Sequence, residues 1–190
     1  MRKIWIILGV ILATIFIIGS TYISIYNRFV TLDENITASW AQIENQLQRK
    51  YDLIPNLINT VKGYAKHEKE IFTYVADARA KLLGAKTIQE KITASKEIES
   101  ALARLLAIAE NYPQLKANEN FIRLQDELAG TENRIANERR RYNEIVKNYN
   151  ILVKSFPSNI VAKLSGFREK NIYFEIKQEA KENIKIDFED

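Results

Sequence analysis

The chain has 190 residues, with no cysteine, one histidine, six glycines and three prolines. Disulfides, thiolate metal sites and multi-histidine metal sites are excluded, and turn residues are too few for a β-sandwich. With 27% charged and 46% apolar residues the composition suits long helices, and the net charge of +4 falls to +2 once Arg2 and Lys3 are set aside, so nucleic acid is not expected as a partner.

Residues 4–27 carry no charge. As a helix those 24 residues reach roughly 36 Å, more than the hydrocarbon core of a bilayer. Ile4, Trp5, Leu8, Ile11, Ile15 and Ile18 supply the apolar surface, and Trp5, Tyr22 and Tyr26 stand where interfacial aromatics belong. The rival reading is a cleaved signal peptide with Arg2 and Lys3 as its basic start. Gly19, Ser20 and Thr21 offer only a poor cleavage site, so a retained single-pass anchor is expected over residues 1–27. Positive residues favour the N-terminal side, which places the N-terminus in the cytoplasm and the soluble domain outside.

From Ile36 to Leu83 apolar residues keep a 3–4 spacing: Ile36, Trp40, Ile43, Leu47, Tyr51, Ile54, Ile58, Val61, Ala65, Phe72, Val75, Leu82. That is one helix stripe, stopped by Gly84. Pro55 interrupts it, either as a kink or as the first turn of a new helix capped by Asp52. A second run extends from Ile88 to Ala109, with Thr87 as N-cap and Glu90 completing a capping box. It breaks at Asn111-Tyr112-Pro113.

The third run covers Leu115–Ser155, where Leu128, Ile135, Tyr142, Tyr149 and Phe156 recur every seven residues. Ile145 and Leu152 occupy a second seam, and Thr131 and Glu138 are polar interruptions. The pattern suits a bundle helix better than an isolated coiled coil. Pro157 stops it. An all-α protein is therefore expected, its three long runs joined by short loops and antiparallel to their neighbours over residues 28–156. Residues 157–176 hold a short helix at Asn159–Leu164, a turn at Gly166-Phe167 and several aromatics, and should pack onto the helices. Residues 177–190 are mostly charged and should fray.

Reactive constellations are scarce. His67 and Glu70 share an i, i+3 spacing, but two ligands cannot hold zinc alone. Arg139, Arg140 and Arg141 are a dense basic run whose members point about 100° apart on a helix. They suit a solvated face pairing with Glu138 and Glu144 better than a phosphate site. No Gly-x-Ser-x-Gly turn or glycine-rich phosphate loop occurs, and one histidine excludes a di-iron bundle site. No catalytic residue, metal or cofactor is assigned, and no enzyme is expected.

Three stretches together resemble the LemA family of bacterial membrane-anchored proteins. They are Trp40-Ala-Gln-Ile43 running into Tyr51-Asp-Leu-Ile-Pro-Asn-Leu57, Val61-Lys-Gly-Tyr-Ala65 and His67-Glu68; Tyr112-Pro-Gln-Leu-Lys-Ala117 with Phe121, Leu124, Gln125 and Leu128; and Glu138-Arg-Arg-Arg-Tyr-Asn143 with Tyr149-Asn150, Phe156-Pro-Ser158 and Gly166-Phe167. The motif residues Trp40, Tyr51, Asp52, Pro55, Asn56, Gly63, Tyr142, Asn143, Phe156 and Pro157 are read as structural, with Asp52 and Asn56 suited to bonding backbone groups near the proline. The resemblance implies an antiparallel up-and-down four-helix bundle behind one N-terminal membrane helix. It implies no enzyme activity. Family members linked to magnetosome membrane organelles imply scaffolding or membrane-organising work in the cell envelope. The expected partners are the lipid bilayer, other envelope proteins and a second copy of the chain. The resemblance also implies a short N-terminus outside, the reverse of the charge count.

Overall fold

A computed structural model describes residues 2–174, and all regular structure among them is helical. The elements are α1 (Arg2–Lys62), α2 (Lys69–Gly84), α3 (Ile88–Ala109), α4 (Pro113–Lys116), α5 (Glu119–Lys154) and α6 (Ser158–Ser165). The expected charged tail 177–190, and residues 175–176 of the packed segment, lie outside the described residues. Among the described residues the chain divides into two compact units, residues 2–41 with 139–174, and residues 42–138.

In the first unit, α1 begins with an apolar window long enough to cross a membrane, none of it buried in protein. Side chains from Ile4 to Ile23 are exposed on every face of the helix. That all-round apolar surface is what a helix facing hydrocarbon requires. The Thr14 hydroxyl donates to the Val10 carbonyl at 2.8 Å, and Ser20 and Thr21 both donate to the Ile17 carbonyl. These back-bonds satisfy the hydroxyls without water. From Phe29 onward the same helix turns amphipathic and buries Phe29, Ile36 and Trp40.

Against that stripe α5 lays Tyr142, Val146 and Tyr149, all at most 2% exposed. Tyr149 meets Phe29 and Tyr142 meets Trp40, so the two stretches run antiparallel. The second seam differs from expectation: Val146 is fully buried while Ile145 and Leu152 are only half-buried. A straight helix of 3.6 residues per turn drifts off a strict heptad. Phe156 is a larger correction. It lies beyond the end of α5 and is 81% exposed, so the seven-residue stripe ends at Tyr149. The Ser158 hydroxyl lies 2.6 Å from the Leu152 carbonyl and 2.9 Å from that of Ser155, capping α5 where Pro157 ends it. α6 buries Val161 and Ala162 and ends at Gly166, whose φ of 79° needs a residue without Cβ. The Phe167 amide closes this cap on the Ala162 carbonyl.

In the second unit, two helix boundaries differ from expectation. Of the two readings at Pro55 the single helix holds, since α1 continues through it, but the first stripe breaks at Gly63–Glu68, where no break was expected. There the Tyr64 and Ala65 amides both turn back to the Val61 carbonyl. Packing wins over the lost bond: Ile54, Leu57 and Val61 are fully buried around the proline. Neither Asp52 nor Asn56 caps a helix end. Asp52 Oδ1 accepts from Gln48 Nε2 at 2.8 Å, one turn earlier, and both residues are exposed. The third run is also split. α4 ends at Lys116, and Asn118 Oδ1 accepts the Phe121 amide as the N-cap of α5.

Helix directions in this unit follow from the contacts. Arg49 with Glu127 and Tyr64 with Asn118 set α1 antiparallel to α5. Lys81 with Glu97 and Tyr74 with Arg104 set α2 antiparallel to α3. Glu44 with Lys91 and Tyr51 with Ser95 set α3 parallel to α1. The Thr87–Glu90 capping box forms as expected: the Glu90 amide donates to Thr87 Oγ1 at 3.2 Å and the Thr87 amide to Glu90 Oε2 at 3.1 Å. The Lys86 amide, which donates to Glu90 Oε2 at 2.8 Å, and then the Thr87 amide hold the Glu90 carboxyl below its ordinary value of 4.5. Thr87→Ala should therefore cost about 1 kcal/mol, read as a lower melting temperature of the full chain in detergent.

Candidate functional site

The most highly organised side-chain cluster lies in the first unit, where the chain after α6 is held against α1 and α5. Residues 167–174 have no regular structure, so their backbone groups need partners from elsewhere. Two asparagines of α5 provide them. Asn150 accepts the Lys170 amide at 2.9 Å and donates to the Lys170 carbonyl at 2.8 Å. Asn143, seven residues earlier, accepts the Phe174 amide at 2.9 Å and donates to the Phe174 carbonyl at 2.7 Å. A primary amide presents a donor and an acceptor side by side, which matches the N–H and C=O of one residue in an extended segment. Two helical turns separate the asparagines, so the pair pins the segment along α5. Asn150 Nδ2 also donates to the Tyr173 hydroxyl at 2.8 Å.

Aromatic rings close the cluster on the α1 side. Phe167 stacks on Phe29 with centroids 4.7 Å apart and tilts against Tyr26 at 5.6 Å. Phe174 stacks on Trp40 at 5.7 Å and meets Tyr142 edge-on at 5.6 Å. The segment therefore runs in the same direction as α1, from Tyr26 to Trp40. Between the two ring groups Lys170 forms an ion pair with Asp33 at 2.9 Å and sits 5.8 Å from the Tyr149 ring centroid.

The electrostatics share one sign. The Asp33 carboxylate holds the Lys170 ammonium above its ordinary value of 10.5. Burial raises the phenols of Tyr142 and Tyr149 above 10.0, and Asp33 adds to the rise at Tyr149. All three groups bind protons more tightly when folded. Their contribution is complete below the unfolded values and is lost as pH rises through the folded ones. Hydrogen exchange of residues 167–174 should stay slow through neutral pH, and their protection should fall above about pH 10 beyond the chemical exchange trend.

The residues singled out from the sequence fall into separate groups. Trp40, Tyr142 and Asn143 come together in this cluster, and Tyr26 joins it through Phe167. Phe156 and Pro157 lie beyond the end of α5. Tyr51, Asp52, Pro55 and Asn56 belong to the second unit, where buried Tyr51 and Ser95 share a 3.3 Å hydrogen bond. Gly63 opens the turn after α1. His67 lies in that turn while Glu70 is in α2, so they do not share a helix face; both are exposed. Among the described residues no group of three His, Asp or Glu is placed to hold a metal ion. Arg139 lies 5.2 Å from the Phe174 ring centroid, a packing role the arginine run did not suggest.

Two features escaped the sequence reading. Asn150 was visible only as part of a motif, though a polar residue beside buried Tyr149 was a usable signal. Lys50, 2% exposed, is buried in the second unit and paired with Glu132. Lying seven residues after Ile43 and four before Ile54, it shares the apolar stripe of α1, but its charge argued against burial.

These features define a class: an all-helical protein with an N-terminal helix able to span a membrane and a C-terminal segment clasped by aromatics and asparagines. A LemA family model matches residues 39–188, and the chain belongs to the LemA family. Magnetosome protein MamQ 2 of Paramagnetospirillum magneticum is 28% identical over 185 residues, covering 82% of this chain and 67% of that protein. MamQ of Magnetospirillum gryphiswaldense is 26% identical over 182 residues, with the same coverage. Protein LemA of Metamycoplasma hominis is 25% identical over 162 residues, covering 85% of this chain and 74% of the relative.

Proposed function

We propose that the protein is a non-enzymatic, membrane-anchored scaffold or adaptor of the bacterial envelope, with an antiparallel four-helix bundle as its body. One observation carries the reading: α1 is apolar on all faces up to Ile23, then the same helix supplies Phe29, Ile36 and Trp40 to a packed core. A helix shared in this way transmits position from the bilayer to the folded body without a flexible linker. The alternating directions of α1, α2, α3 and α5 support the bundle. The positive residues Arg2 and Lys3 support a body outside the cytoplasm. Its partners are other envelope proteins.

Crosslinking the full chain in intact membranes, followed by mass spectrometry of the products, tests this. Reproducible crosslinks from residues 28–174 to another envelope protein are the expected result. Crosslinks only to lipid or to other copies of the chain would overturn the adaptor reading. They would favour a second one, a homo-oligomer that organises membrane, which the likeness to magnetosome proteins supports. Purified protein should then tubulate or cluster liposomes.

A further inference from the structure

We propose that α6 is an interfacial foot that lies in the surface of the bilayer α1 spans, with its apolar face in the lipid and Lys163 and the following Arg168 among anionic headgroups. Ile160 and Leu164 are four residues apart on α6, on one helical face, and are 50% and 73% exposed. Phe156, just before α6, is 81% exposed, and Ile151 near the end of α5 is 51% exposed. Large apolar side chains this exposed and this close in sequence mark a surface that meets something other than water.

The geometry of the first unit says what it meets. Starting at Ile4, a helix rising 1.5 Å per residue crosses a 30 Å hydrocarbon core in roughly 20 residues, which brings Tyr22 and Tyr26 to the far boundary. The Tyr22 hydroxyl shares a 2.9 Å hydrogen bond with Ser165, the last residue of α6, and Phe167 contacts Tyr26. α6 is thus pinned at the depth where the span ends. The course of α5 agrees. It runs antiparallel to α1 with Tyr149 at Phe29, so its continuation past Ile151 heads toward the level of Tyr22.

Charge favours the same occupant. Residues 158–168 contain Lys163 and Arg168 and no acid, and both basic residues are exposed. Short basic amphipathic helices bind anionic bilayer surfaces through this combination of apolar area and positive charge.

The inference rests on the anchor reading, and the test separates the two. The chain has no native cysteine, so single-cysteine variants take one spin label each. Leu164→Cys, Leu12→Cys and Lys66→Cys are labelled in the full chain and reconstituted into vesicles of phosphatidylcholine with phosphatidylglycerol. Collision with oxygen, which concentrates in lipid, is compared with collision with a water-soluble nickel chelate. The label at 164 should lose nickel accessibility relative to Lys66 and gain oxygen accessibility, as at Leu12. Nickel accessibility equal to that at Lys66, with Leu12 shielded, would overturn the foot alone. Exposure of Leu12 as well would overturn the anchor. Shielding of 164 from both reagents would mean that protein, such as a second copy, covers the face, and would also overturn the foot. Adding Lys163→Glu and Arg168→Glu should raise nickel accessibility at 164 in these vesicles and leave it unchanged in phosphatidylcholine alone. No rise in the anionic vesicles would remove the headgroup contact from the proposal.

Discussion

Trp40→Ala should destabilise the first unit by about 3–5 kcal/mol, the largest effect expected of a single substitution in the protein. The indole is 8% exposed and has Phe174 stacked at 5.7 Å and Tyr142 edge-on at 5.9 Å. Removing it opens a cavity between α1, α5 and the C-terminal segment, and it strips two aromatic contacts in addition to apolar area. Hydrogen exchange of the full chain in detergent reads the effect by location. Protection should fall across 29–40, 139–150 and 167–174, while Trp40→Phe should recover a good part of it. Unchanged exchange in those three stretches would mean that the ring cluster does not hold them.

Asn150→Ala should cost roughly 2–4 kcal/mol, through backbone groups left without partners. The side chain is 8% exposed and serves the amide and carbonyl of Lys170 and the hydroxyl of Tyr173. The substitution deletes all three bonds at once. Tyr173→Phe removes one of them and should cost about 1 kcal/mol or less. The predicted signature is selective. The Lys170 amide should lose protection in Asn150→Ala, while the Phe174 amide, held by Asn143, should lose less. Equal loss at both amides would mean that the segment is released as a whole, not clasped at two points.

How much of this was readable beforehand depends on the range of the interaction. The apolar window, the Thr87–Glu90 box, the buried stripe through Tyr142 and Tyr149, and the Gly166 turn are local patterns, and each appears where the spacing places it. Pro55 left two readings open because its cost is local while its compensation is not, and the continuous helix is the one found. Ile54, Leu57 and Val61 are fully buried around the proline, and that burial offsets the lost bond. Gly63 was masked because the apolar stripe keeps its phase from Val61 to Ala65, yet the chain turns there. The asparagine clasp was illegible for a different reason. Asn143 and Asn150 bond to backbone 31 and 20 residues away, and backbone acceptors leave no trace in side-chain pattern. The resemblance to the family identified Asn143 as a motif residue, but only geometry shows what it holds.

A membrane-anchored body requires residues 4–27 to be retained and continuous with the core helix. Mass spectrometry of the protein extracted from alkaline-washed membranes tests this most directly. The expected result is a membrane-bound chain whose mass includes residues 4–27. A soluble chain beginning near Ser20 or Thr21 would contradict it.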